Sequence, residues 1–156
     1  MEWEIVGWEE DLTQESSCVC GHQQLRYLYT IENGVNGNVL FPIGSVCIRQ
    51  FGRQDLDEEV AVLERLFRLL HAVEERRFIS LKTGLFTRKL LLYLFEHGAF
   101  EPNEYNGFDG RNDYEFMVDM FNQRNDPTDP QQRKINAVIR WSILTYLRTL
   151  LGPPPR

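Results

Sequence analysis

The sequence predicts an α+β fold in which a small, cysteine-bearing β-rich module precedes a helical bundle. Three observations carry that expectation. β-Formers alternate over residues 25–31 and run into Asn-Gly pairs, apolar residues recur at spacings of three and four from Leu56 onward, and every cysteine lies before Gly52. The change of character near 52–54 divides the chain into a module over 1–53, a helical domain over 54–152 and a short tail over 153–156. At 156 residues, 42% hydrophobic and 26% charged, the chain has the length of one ordinary domain and the composition of a globular protein.

The elements follow in order. Trp3, Ile5 and Val6 among acids read as a short strand or an ordered arm. The run LRYLYTI places Leu25, Tyr27, Tyr29 and Ile31 on one side of a strand. Asn33-Gly34 and Asn36-Gly37 tolerate positive φ, so residues 38–43 return antiparallel and complete a β-hairpin. Ser45 is the expected N-cap of a short helix that carries Cys47. An amphipathic helix over 57–75 follows, its first turn acidic at Asp55, Asp57, Glu58 and Glu59, which suits the positive end of the helix dipole. A second helix is expected over 85–97, closed by Gly98. A third is expected over 113–122, after an Asn/Gly-rich loop. Thr128 or Asp129 caps the last helix, Pro130 suits its first turn, and Gly152 with the prolines stops it.

Lys plus Arg number 17 against 23 for Asp plus Glu, a net charge of −6, which disfavours a surface that wraps nucleic acid nonspecifically. The charge is unevenly spread. Residues 1–17 hold six acids and no base, and residues 101–131 hold eight acids against Arg111 and Arg124. Residues 132–156 hold Arg133, Lys134, Arg140, Arg148 and Arg156 with no acid. Most such charges line solvated helix faces. No apolar run is long enough for a membrane span, and the acidic start lacks the character of a secretory signal, so a cytoplasmic protein is expected.

The cysteines are the most informative residues. Cys18-Val19-Cys20-Gly21-His22 places three ligand types within five residues, and Gly21 suits the tight turn of a metal knuckle. Cys47 falls in the first turn of the next helix, where thiolate is favoured. Cys18, Cys20, His22 and Cys47 are therefore the expected ligands of one structural Zn²⁺. The order of knuckle, hairpin and helix is that of a treble clef, although the usual second ligand on the helix is missing and His22 must complete the set. Buried, reduced cysteines acting as small hydrophobes are the alternative, and a Cys18–Cys20 disulfide is disfavoured by its strained loop.

The pattern CVCGH followed by LRYLYTIENGVNGNVLFPIGSVCIRQF resembles the CxCG…N…GSxCIxxF zinc-knuckle segment of small proteins of phages and mobile elements. The resemblance spans residues 18–51. The stretches FTRKLLLYLFEHGAF and QQRKINAVI are similar to the helical part that accompanies such a segment in Gram-positive bacteria and their phages. It implies a zinc-stabilised accessory protein in the company of nucleic acid or nucleic-acid machinery.

Enzyme signatures are absent. The sequence lacks a phosphate-binding Gly-Lys-Ser/Thr loop, a Gly-x-Ser-x-Gly elbow, a zinc-deaminase signature and the histidines of a His-Asn-His nuclease. Asp109, Asp113 and Glu115 lie in or beside the polar loop and are expected to face solvent. A non-enzymatic binding module is expected, in one of two forms. In the first, Arg26, Tyr27, Arg49 and Arg53 flank the knuckle and Arg133, Lys134 and Arg140 add phosphate contacts, so that the partner is nucleic acid or nucleoprotein. In the second, the acidic surfaces occupy the basic groove of a nucleic-acid-processing protein, as anti-CRISPR inhibitors do. Trp3, Trp8, Tyr105, Phe108 and Trp141 are candidate recognition aromatics in either case.

Overall fold

The structure is a computed structural model that describes residues 2–75 and 80–152. It is mixed α+β: a three-stranded antiparallel sheet comes first and helices follow. The chain separates into two compact units, one ending at Glu64 and the other running from Arg65 to Gly152. The junction expected at 53/54 coincides with the start of a long helix, whereas the division by packing lies inside that helix. The tail expected over 153–156 lies outside the described residues.

In the first unit, β1 (Trp3–Glu10), β2 (Tyr27–Asn33) and β3 (Val39–Ile43) pair in the order β1-β2-β3. Trp3 opposes Asn33 and Glu10 opposes Tyr27, with a shift of register between Ile5 and Gly7. Gly7 fits that shift, because a Cβ there would stand 3.2 Å from Thr30 Oγ1. Asn33 closes the β2–β3 turn: its buried Oδ1 accepts from the amides of Val35 and Asn36 at 2.9 and 3.2 Å. Ile5, Tyr29, Ile31, Ile43 and Ile48 are buried in this unit with Leu56, Val60 and Leu63 of α2 (Gln54–Glu74). The Tyr29 hydroxyl donates to Glu64 Oε1 at 3.3 Å, and burial, reinforced by that carboxylate, pushes the phenol far above its usual range.

α1 (Ser45–Arg49) starts at the residue expected to cap it; Gly44 occupies the cap position and no side chain closes the end. Ile48 N donates to Gly44 O at 3.1 Å, the first intrahelical bond of α1.

In the second unit, α3 (Arg88–Glu96) begins where Thr87 Oγ1 accepts from Leu90 N at 3.0 Å, and it packs on α4 (Gly110–Asn122). Phe95 and Tyr114 stack between them at 4.5 Å. α4 starts three residues earlier than expected, because Asp109 rather than a later residue supplies the cap, accepting from Arg111 N at 2.9 Å. Gly110 lets the helix start press on the preceding chain: a Cβ there would stand 1.8 Å from Phe100 O. α5 (Asp129–Val138) opens with a capping box between Thr128 and Gln131 and has Pro130 in its first turn. It runs through a π turn (Ile139–Ile143) into α6 (Leu144–Leu151), so the single last helix expected from the sequence carries a widened turn at its centre.

Candidate metal centre

The ladder of β1 and β2 does not end at the strands. Asp11 N donates to Arg26 O at 2.6 Å, Ser16 bridges Leu25, and Cys18 N donates to His22 O at 2.7 Å. The knuckle over 18–22 is thus the tip of an extended hairpin. Gly21 turns it with φ of +97°, and its amide donates to Cys18 O at 2.9 Å. Asp11 shapes the approach to that tip, accepting from the hydroxyls of Thr13 and Ser16 at 2.6 Å each and from their amides at 3.0 Å each. The Ser16 and Thr13 hydroxyls hold its carboxyl well below the usual carboxylate range.

Two bonds fasten the knuckle to the far side of the sheet. Val19 N donates to Pro42 O at 2.9 Å, and Gly44 N donates to Cys18 Sγ at 3.3 Å. Because Gly44 caps the helix that carries Cys47, the sulfurs converge: Sγ of Cys18, Cys20 and Cys47 all lie within 4.8 Å of one another. Cys20 and Cys47 are joined as a disulfide with S–S 1.93 Å and Cα–Cα 7.0 Å, while Cys18 is free and buried, 3.1 Å from Cys20 Sγ.

These residues fit a soft metal ion in part. With the Cys20–Cys47 bond reduced, the three sulfurs, of which Cys18 Sγ already accepts an amide N–H, would supply thiolate donors, and a three-sulfur group of this size could hold a metal. The expected fourth ligand does not join them. His22 is exposed and its ring stands outside the sulfur group; its contribution to the knuckle is the backbone carbonyl that accepts from Cys18. The expectation of a closed site with four protein ligands therefore loses its fourth member. A disulfide does form, but between Cys20 and Cys47 rather than Cys18 and Cys20, because the helix start brings Cys47 to the knuckle.

The residues expected to bind phosphate are differently disposed. Arg26 pairs with Glu10 at 3.1 Å and lies 5.7 Å from the Tyr27 ring centroid. Arg53 pairs with Asp55 at 2.6 Å and also donates to Trp3 O. Arg49 is exposed. In the second unit Arg133 and Arg140 are exposed, and Lys134 Nζ sits 4.4 Å from the Phe116 centroid. Among the aromatics, Tyr105, Phe108 and Trp141 are exposed, whereas Trp3 and Trp8 are half-buried.

Asp113 departs from expectation. It is only 4% exposed, and its Oδ2 accepts from Asn106 Nδ2 at 2.8 Å. Asn106, equally buried, also donates to Glu101 O and fixes the loop before α4. The Asn103-x-x-Asn106 spacing of a capping box is the sequence signal that could have exposed this arrangement.

No family model, curated protein or solved structure matches the chain. No described helix is long and apolar enough to cross a membrane.

Proposed function

We propose that the chain is a non-enzymatic binding module that docks through acidic surface on a basic partner, and that in its reduced form the three cysteines hold one structural zinc. The observation that carries the docking reading is the pairing of Arg26 with Glu10 and of Arg53 with Asp55. Two of the three arginines beside the knuckle have their charge balanced within the chain, and the net charge of −6 then dominates what a partner meets. The basic groove of a nucleic-acid-processing protein has the complementary charge. A role of that kind in phages or mobile elements agrees with the resemblance of the knuckle segment.

The zinc reading rests on the backbone. Cys20 and Cys47 have Cα atoms 7.0 Å apart, just beyond the range of about 4.4–6.8 Å that most disulfides occupy. A tetrahedral thiolate site, with Zn–S of about 2.3 Å, sets its sulfurs a little under 4 Å apart and suits a wider backbone. Cys18, Cys20 and Cys47 would hold the ion, which would clamp the hairpin tip to α1.

The docking reading is tested by fluorescence anisotropy of a labelled DNA duplex bound to an arginine-rich peptide. The chain is expected to displace the duplex while showing no salt-sensitive binding to DNA or RNA itself. Direct, salt-sensitive binding of nucleic acid, lost in Arg133→Glu and Arg140→Glu, would establish the phosphate-binding reading instead.

A further inference from the structure

The second unit contains a cavity of about 630 Å³ lined by Glu101, Tyr105, Asp113, Lys134, Val138 and Trp141. Its two walls are built independently. One is the loop around the 3₁₀ turn Glu104–Asn106, closed by the reciprocal Asn103 and Asn106 side-chain bonds and tied to Asp113. The other is the last turn of α5 and the π turn after it, from which Ser142 also reaches the lining. Widened helical turns of this type recur at functional sites.

The chemistry of the lining selects a cation. Asp113 is a carboxylate held 96% out of solvent whose hydrogen-bond partner is the neutral Asn106 amide, and no ion pair to it is found among the described residues. A buried carboxylate without a counter-charge is costly and is stabilised by any cation that reaches it. Lys134, the one basic residue of the lining, has its ammonium over the Phe116 ring at 4.4 Å. Glu101 adds a second carboxyl, and Tyr105 and Trp141 leave 87% and 76% of their surface exposed beside it. Aromatic faces beside carboxylates fit a guanidinium, which stacks flat on a ring and donates in a fork to carboxylate oxygens. A nucleotide would also stack, but its phosphate would meet the carboxyl groups of Glu101 and Asp113.

From this we infer that the cavity is a binding site for an arginine side chain presented by a basic protein partner. The inference rests on the docking reading above and deepens it. It is tested by following the Trp141 indole N–H in ¹H–¹⁵N spectra, assigned through Trp141→Phe, while the full chain is titrated with a (Gly-Arg)₄ peptide or its citrulline counterpart. The arginine peptide is expected to shift that signal at a concentration at least tenfold lower than the neutral isostere. Glu101→Gln, at an exposed position, should weaken the effect severalfold, and Trp141→Ala should weaken displacement of DNA from the arginine-rich peptide. Equal response to the citrulline peptide, no response to either, or a stronger response to adenosine monophosphate overturns the inference. If the wild type displaces DNA as expected but Trp141→Ala does so equally well, the cavity is excluded and the docking reading survives. If the wild type displaces nothing, the docking reading fails, and the cavity with it.

Discussion

The amide of Gly44 donates to the sulfur of Cys18 across 26 residues of sequence, at 3.3 Å. Through this bond the tip of one hairpin and the start of the helix that carries Cys47 meet at one sulfur. The three cysteines therefore do not contribute equally, and their separate removal distinguishes the oxidised chain from the proposed metal-bound one.

Cys47→Ser removes both the disulfide and a proposed metal ligand, whereas Cys18→Ser removes only a proposed ligand and spares the disulfide. Under oxidising conditions Cys47→Ser should cost about 3–4 kcal/mol on the chain-entropy account of a loop this long, and Cys18→Ser much less. In reductant with zinc, both should lower the melting temperature, and chelator should abolish the difference from wild type. Melting curves in the two conditions, with metal content by mass spectrometry, check this; a wild type whose melting is unmoved by zinc or chelator, with both variants melting as it does in reductant, would remove the metal proposal.

Asp11 links the approach to the knuckle to pH. Its folded-state pKa is depressed by the Ser16 and Thr13 hydroxyls, so its contribution is complete above the ordinary carboxylate range and is lost as pH falls toward the depressed value. Asp11→Asn should flatten the acid limb of the stability profile below about pH 4. Denaturant midpoints from pH 2 to 6 provide the measurement, and parallel profiles for the two proteins would contradict it.

Gly110→Ala should be among the most damaging single-methyl additions in the second unit. The new Cβ would meet the Phe100 carbonyl oxygen, a backbone atom that cannot rotate away. A loss of about 1–3 kcal/mol or more is expected from the forced shift. Thermal unfolding measures it; a stability gain would show that the helix start moves freely.

Thr128→Ala removes the side-chain half of the capping box on α5 and should cost about 1 kcal/mol, while Thr128→Ser should cost little. Urea midpoints of the two variants check the cap against a general effect of the position.

Much of the architecture was legible because it rests on local chemistry. Asn33 announced its turn, Thr128 and Pro130 announced the last helix, and the cysteine cluster announced a meeting of the hairpin with α1. What was not legible depends on groups distant in sequence. Glu10 neutralises Arg26 across sixteen residues, and no local pattern reveals that pairing. The burial of Asp113 follows from Asn106 folding back on it, so composition alone reads it as a loop acid. His22 sits at ligand spacing in the sequence, yet the turn at Gly21 uses its carbonyl and leaves its ring outside.

The π turn has a bearing on how the last helix tolerates changes of length. Ile135, Ile139, Ile143, Leu147 and Leu151 are buried at a strict interval of four. In an ordinary α-helix each such step overshoots a full turn by about 40°, so the row would wind roughly 160° around the rod. A wider turn at Ile139–Ile143 takes back part of that winding and keeps both ends of the row facing inward. One residue more or fewer there would rotate Leu147 and Leu151 relative to Ile135, exchanging buried for solvent-facing positions along α6 while leaving every residue identity in place.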